Sequence, residues 1–196
     1  MIEVEKKFLY NEATIKTLTE GAEFVGEKIF TDSYFDNETF SLTTKDIWFR
    51  KRGERFELKL PLNVKMEERV SDQYKELETE KEIADYFKWN LSEASLEELV
   101  KKSGFNPFAT FTTTRKKYKK DDFTIDIDTT DFGFNIIEIE IMVSEESDIE
   151  EGIKKILEFA SSIGSELGYV CGKGVEFLKK NNPEHLQKLI EAKVVK

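Results

Sequence analysis

The chain has 196 residues, 39% of them hydrophobic and 16 of them phenylalanine, so it can bury a core, and residues 1–196 are expected to form one domain. A formal net charge of −10 disfavours nucleic acid as a partner, and the single cysteine, Cys171, forbids an intrachain disulfide. No apolar run approaches the ~20 residues that span a bilayer, and acids stand in Met1-Ile2-Glu3-Val4-Glu5-Lys6-Lys7 where a signal peptide would be basic and then apolar, so the expectation is a cytosolic protein with no membrane partner.

Residues 2–8 alternate and predict a strand. A short helix carrying Ile15 and Leu18 follows and stops at Gly21. Residues 24–35 read as a second strand, and Asn37 to Asp46 as a polar loop. Residues 46–52 and 55–60 form a hairpin around Gly53-Glu54 that ends at Pro61. The charged, aperiodic stretch 62–72 reads as a loop. A strand over 73–79 leads into the capping box Thr79-Glu80-Lys81-Glu82 and a helix to about Trp89. Ser92 or Ser95 opens the next helix, which Gly104 closes. Strands follow at 108–119, 123–128 and 135–143, then a long helix from Asp148 to Leu167. Gly164, Gly168, Gly172 and Gly174 break up the next stretch, and a last helix starts at Pro183. Consecutive strands lie too close for helical crossovers, so the class is α+β with an antiparallel sheet.

Side chains at i and i+2 of a strand face the same way. Glu3, Glu5 and Lys7 therefore share a face, as do Trp48, Arg50 and Arg52. The same parity joins Glu57 to Lys59, Glu76 to Glu78, Arg115 to Lys117, Asp126 to Asp128, and Glu138 to Glu140. The opposite faces carry Val4 and Phe8, Phe56 and Leu58, and the isoleucines 125, 127, 137, 139 and 141, which are expected to pack against helices. A half-exposed sheet with one solvated face would account for simple alternation. Like charges recurring at i and i+2 repel, however, and call for something between them. A divalent metal answers the acidic rows, phosphate the basic rows, and a sheet closed on itself would direct both into one lumen. His185, the only histidine, reads as an exposed residue in the first turn of the last helix, so any metal would rest mainly on carboxylates, which favours Mg²⁺ or Mn²⁺.

The string Glu3-Val4-Glu5-Lys6-Lys7 resembles the ExExK strand of the CYTH, or triphosphate tunnel metalloenzyme, superfamily. The likeness continues in order through Asp32-Ser33-Tyr34-Phe35-Asp36, Asp46 to Arg52, Phe56 to Pro61, Thr113-Thr114-Arg115, Thr124 to Asp128 and Glu138-Ile139-Glu140. Within the superfamily it is most similar to the branch that hydrolyses thiamine triphosphate. The resemblance implies a closed eight-stranded antiparallel β-tunnel with helices packed outside, and Mg²⁺-dependent removal of the terminal phosphate of a small organic triphosphate; a monomer is expected, though nothing in the sequence fixes the oligomeric state. It implies triphosphate contacts from Lys7, Arg50, Arg52, Lys59 and Arg115, and Mg²⁺ ligation by Glu3, Glu5, Asp126, Asp128, Glu138 and Glu140, with Glu76 or Glu78 as a further acid. Glu3, Glu5 and Lys7 are the expected catalytic group, and Lys173 the lysine that closes the tunnel.

Trp48 stands at the end of the Arg50-Arg52 row. Its plain reading is a core aromatic; within the resemblance it is the face on which the cationic thiazolium ring would rest. Inorganic tripolyphosphate is the alternative substrate on the same scaffold. Adenylyl cyclase chemistry would need a base for the ribose hydroxyl and a purine pocket, for which the sequence offers no candidates. A non-catalytic triphosphate-binding protein would not need both acidic pairs.

Overall fold

The computed structural model describes residues 2–62, 71–162 and 169–195. Eight antiparallel strands make up the sheet: β1 (Ile2–Leu9), β2 (Glu23–Asp36), β3 (Trp48–Arg52), β4 (Arg55–Pro61), β5 (Asp72–Leu77), β6 (Asn106–Lys120), β7 (Phe123–Thr130) and β8 (Asn135–Val143). Their order, β1-β5-β4-β3-β2-β6-β7-β8, closes into a barrel because β1 pairs with β5 on one side and with β8 on the other. Closure leaves no open edge, so each strand's backbone groups find partners on both sides. The closed eight-stranded fold expected from the sequence is the one observed.

Two apolar clusters coat the outside. Val4, Phe8, Ile125, Ile137 and Ile139 pack beneath Ile156 and Ala160 of α4 (Ile149–Ser162). Helix and sheet approach closely at Gly152, where an added Cβ would lie 3.2 Å from Val143 Cγ1. On the opposite wall, Phe49, Phe56, Leu58 and Leu77 pack under Ile83 of α2 (Glu80–Phe87) and Leu96 and Val100 of α3 (Leu96–Lys102). Each fully buried side chain of this size contributes about 1.5–3 kcal/mol, so the outer face supplies the stability and leaves the inner face available for charge.

The helix starts follow their caps. Asn11 caps α1 (Glu12–Thr19), and Thr79 with Glu82 closes the capping box of α2. Ser95, not Ser92, caps α3, because only Ser95 has a glutamate, Glu98, at the third helical position to return the hydrogen bond. The loop expected at 62–72 falls largely on residues 63–70, and the end of the long helix with Gly164 and Gly168 on 163–168. Both lie outside the described residues.

Two expectations are corrected. The glycine-rich stretch contains a helix, α5 (Lys173–Asn181), with Gly172 as its N-cap and Gly174 inside its first turn. Gly174 is there for space, since an added Cβ would lie 3.1 Å from Trp48 Cζ3. His185, expected to be exposed, is fully buried in α6 (Pro183–Glu191). The loop after β2 covers it: its ring stacks on Phe40 at 4.0 Å and its Nε2 lies 2.7 Å from Thr43 Oγ1. Thr43 gives its one hydroxyl proton to Asp36 Oδ2 at 2.7 Å, so Nε2 is the donor to Thr43, and the buried Nδ1, which has no hydrogen-bond partner among the described residues, favours the neutral ring.

Burial lowers the pKa of His185, and the Asp36 charge offsets this only in part. The unfolded chain therefore binds the proton first, and the ring's contribution to stability declines as pH falls below about 6.5. In urea unfolding, the stability advantage of wild type over His185→Gln is expected to shrink between about pH 7.5 and 5.5. A pH-independent difference would contradict the neutral, buried ring.

Candidate active site

Strand alternation and barrel closure together determine what the lumen contains. The cavity is about 560 Å³, and its wall includes nine acidic and nine basic side chains among the described residues. The strand order sorts them. Lys59 and Arg55 of β4, Arg50 and Arg52 of β3, Lys28 of β2, and Arg115 and Lys117 of β6 form a basic arc. Glu138 and Glu140 of β8, Glu3 and Glu5 of β1, Asp72 and Glu76 of β5 and Glu78 just after it complete the circle as an acidic arc, backed by the buried Asp126 and Asp128 of β7; Lys7 on β1 and Glu57 on β4 are the strand residues that cross the division. No single strand shows this division, which arises only from the order of neighbours.

Ion pairs bind the two signs together. Lys59 reaches Glu3 at 2.5 Å and Glu76 at 2.7 Å. Lys7 reaches Glu5 at 2.5 Å and also contacts Asp72. The Arg52 fork is held by Asp32, with Nε and Nη2 donating to the two carboxylate oxygens at 2.7 and 2.8 Å. Arg50 donates to Glu57 through Nε at 2.8 Å. Arg115 binds Asp128 through Nε and Nη2, both at 2.7 Å, and contacts Asp126 and Glu138. The guanidinium planes are thus held before any ligand arrives, and each arginine retains N–H donors directed elsewhere.

Helix α5 closes one end. Lys173, its first residue, points into the barrel and donates to Asp128 at 2.5 Å and Glu138 at 2.7 Å. Gly172 lies against Lys7, and Gly174 against Trp48. The wall here is aromatic and apolar: Trp48 meets Tyr34 edge-on at 6.0 Å, with Tyr74, Tyr169, Val175, Val194 and Val195 nearby. Asp46 accepts from Trp48 Nε1 at 2.9 Å and from the Tyr74 hydroxyl at 3.0 Å, which fixes the indole.

Carboxylate oxygens converge twice. Glu3, Glu5 and Glu140 form one group and Asp126, Glu138 and Glu140 another, with ligand atoms within 4.8 Å of one another in each. Burial raises the Glu140 carboxyl well above its ordinary pKa, and the nearby Glu3 and Asp126 charges push the same way. Burial also raises Glu5 and Asp126, against the pull of Lys7 on the first and Arg115 on the second. Glu138 goes the other way: burial would raise it, but Lys173, Arg115 and Lys7 together hold it well below the carboxylate range. Crowded carboxyls whose protonated forms burial favours, beside one held ionised by cations, fit a divalent ion, whose charge would favour the ionised state of all of them.

Comparison with known proteins places this geometry. A sequence model of the CYTH domain matches residues 1–168. The chain belongs to the CYTH domain family. Human thiamine-triphosphatase is 29% identical over 212 residues, covering 97% of this chain and 90% of its own, and the Macaca fascicularis thiamine-triphosphatase matches to the same extent. The PH1819 protein of Pyrococcus horikoshii OT3 superposes with a TM-score of 0.63 at 23% identity, over 92% of this chain and 99% of its own. HpAC1 of Hippeastrum, described with a dominant triphosphatase activity, superposes at 0.58 with 17% identity, over 91% and 95%.

Within this CYTH barrel, Glu3, Glu5, Lys7, Trp48, Arg50, Arg52, Lys59, Arg115, Lys173, Glu138 and Glu140 all line the cavity. Asp126 and Asp128 are fully buried behind Arg115, and Asp128 lies in neither carboxylate group. Glu76 is committed to Lys59, while Glu78 stands exposed on the cavity rim. The sequence reading missed Asp72, which falls at the end of a stretch read as loop, and Asp32, whose parity with Tyr34 was available but whose role depends on β3 lying beside it.

Proton release accompanies metal capture by raised carboxyls, so binding should strengthen with pH. Added Mg²⁺ or Mn²⁺ is expected to raise the melting temperature, more at about pH 8 than at pH 6, with most of the shift lost in Glu140→Gln. By linkage, a cation at about 100 times its Kd stabilises by about 2.7 kcal/mol. A melting temperature indifferent to either ion would remove the carboxylate groups as a metal site.

Proposed function

We propose that the protein hydrolyses the terminal phosphoanhydride of a small organic triphosphate, with thiamine triphosphate the best-fitting substrate and Mg²⁺ (or Mn²⁺) the cation. The observation that carries this reading is the division of one barrel lumen into a basic arc and an acidic arc. Phosphoryl transfer demands positioning and charge neutralisation more than covalent catalysis, and the two arcs meet those needs separately.

Arg50, Arg52, Lys59 and Arg115 bind the phosphate oxygens, the arginines with forks already oriented by Glu57, Asp32 and Asp128. Lys7 and Lys173 neutralise charge at the α5 end. Glu3, Glu5, Asp126, Glu138 and Glu140 hold the cation directly or through water, while Asp128 acts by holding Arg115 and Lys173. When bound, Mg²⁺ supplies charge neutralisation to the phosphates and acidity to water. The equal numbers of acids and bases in the wall support cation dependence, because a near-neutral lumen gains a large negative charge when triphosphate enters alone.

Trp48 sits where the basic arc meets the aromatic end, held by Asp46. A thiazolium ring on its face gains about 0.5–2 kcal/mol. Inorganic tripolyphosphate lacks this group and is the second substrate to test. The chain works as a single domain, as a monomer and in the cytosol, with no nucleic-acid or membrane partner.

The deciding experiment is kcat/KM for thiamine triphosphate, tripolyphosphate, ATP and GTP with Mg²⁺, together with assays for cyclic AMP from ATP. Thiamine triphosphate is expected to lead. Trp48→Ala is expected to lower its kcat/KM by about 2- to 30-fold, the range of that cation–π energy, with little effect on tripolyphosphate. Arg52→Lys keeps a charge beside Asp32 but loses the fork, and is expected to cost about 2–4 kcal/mol of transition-state stabilisation on every substrate. A wild-type enzyme that releases no phosphate from any triphosphate would leave only a binding protein.

A further inference from the structure

The two ends of the cavity differ. At the α5 end the lining residues Asp46, Tyr74, Lys173, Val175 and Val195 are buried and Trp48, Tyr169 and Gly172 half-buried, none of them exposed. At the other end Lys28, Ile29, Arg55 and Glu78 line the same cavity and are exposed, Ile29 by 70%. The open mouth therefore lies opposite α5.

Register explains why cations stand there. β3 pairs with β2 only from Asp32 to Phe35, whereas β6 pairs with β2 back to Glu23. The β2–β6 ribbon thus projects past the β3–β4 turn and carries Lys28 with it. Arg55 opens β4 immediately after that turn, paired with Arg52.

Seven of the nine lining cations are committed to carboxylates at 2.5–2.7 Å: Lys7, Arg50, Arg52, Lys59, Arg115, Lys117 and Lys173. Lys28 and Arg55 have no carboxylate partner among the described residues. Glu78 is the single exposed acid on the described cavity wall. A paired charge projects little field into solvent, whereas an unpaired one at a low-dielectric rim projects outward over about a Debye length, ~8 Å at physiological salt. The chain as a whole, at −10, repels an approaching polyanion.

We infer that Lys28 and Arg55 form an outer anion-binding subsite at the open mouth, which draws the polyphosphate part of an incoming ligand toward the paired arginines inside. The inference rests on the triphosphatase reading for its substrate, but not for its chemistry, which requires only a linear polyphosphate. The subsite acts on encounter, so its loss should appear mainly in KM and should depend on salt.

The test compares wild type with the double variant Lys28→Gln/Arg55→Gln at low and high ionic strength. At about 20 mM salt, kcat/KM for the preferred triphosphate is expected to fall about fivefold or more; at about 500 mM the two proteins should agree within about twofold. An equal loss at both salts, or no loss, overturns the subsite. Glu78→Lys supplies an independent arm, with a rise in kcat/KM expected at low salt; no rise counts against the proposal. If wild type hydrolyses no triphosphate, the functional reading fails by itself. Calorimetric binding of inorganic tripolyphosphate to the same variants, at the same two salts, then decides the subsite by the same ratios.

Discussion

The structure depends on one constraint: a sheet closed on itself forces the inward side chains of eight strands to face one another instead of water. Charges that would be solvated on an open sheet become buried near others of both signs. Burying an isolated charge costs several kcal/mol, so each must find a partner or change its protonation state. Both outcomes occur here. The arginines and lysines acquire carboxylates, while burial and the nearby Glu3 and Asp126 charges push the pKa of the Glu140 carboxyl well above its ordinary value.

Those pairs are better understood as positioning than as a source of stability. Buried ion pairs contribute little net free energy against apolar replacements, and this barrel already has two apolar clusters on its outer face to hold it together. What the pairs do is hold guanidinium planes and carboxylate oxygens in place in a site that would otherwise reorganise around its ligand. Asp32 illustrates the division of labour. It is fully buried, lies outside the described cavity lining, and holds the Arg52 fork by both oxygens.

Helix α5 links the fold to the site. Its first turn brings Lys173 onto Asp128 and Glu138, and the absence of a side chain at Gly174 lets it lie against Trp48. The same residues that read as helix-breaking in isolation are therefore required by close approach, which local propensity cannot register. His185 is a parallel case. Nothing in Asn182-Pro183-Glu184-His185 distinguishes a buried N-terminal turn from an exposed one, and the covering loop, Phe40 and Thr43, is 142 residues distant from it at Thr43.

The sequence alone determined which residues face inward, because strand parity is a local property with a period of two. Apart from α5, it also determined the order of strands and helices, through capping boxes, turn residues and apolar alternation. Lys7, Arg50, Arg115, Glu138 and their neighbours were legible for that reason. Tertiary structure decided what those residues meet: the placement of β2 beside β6, which gathers the cations into one arc; the partners Asp32 and Asp72; the fully buried state of Asp128; and the closure of one end by α5. These follow from strand order and long-range packing. Pairwise Coulomb energy depends on distance through space, and distance along the chain says almost nothing about it once the barrel has closed.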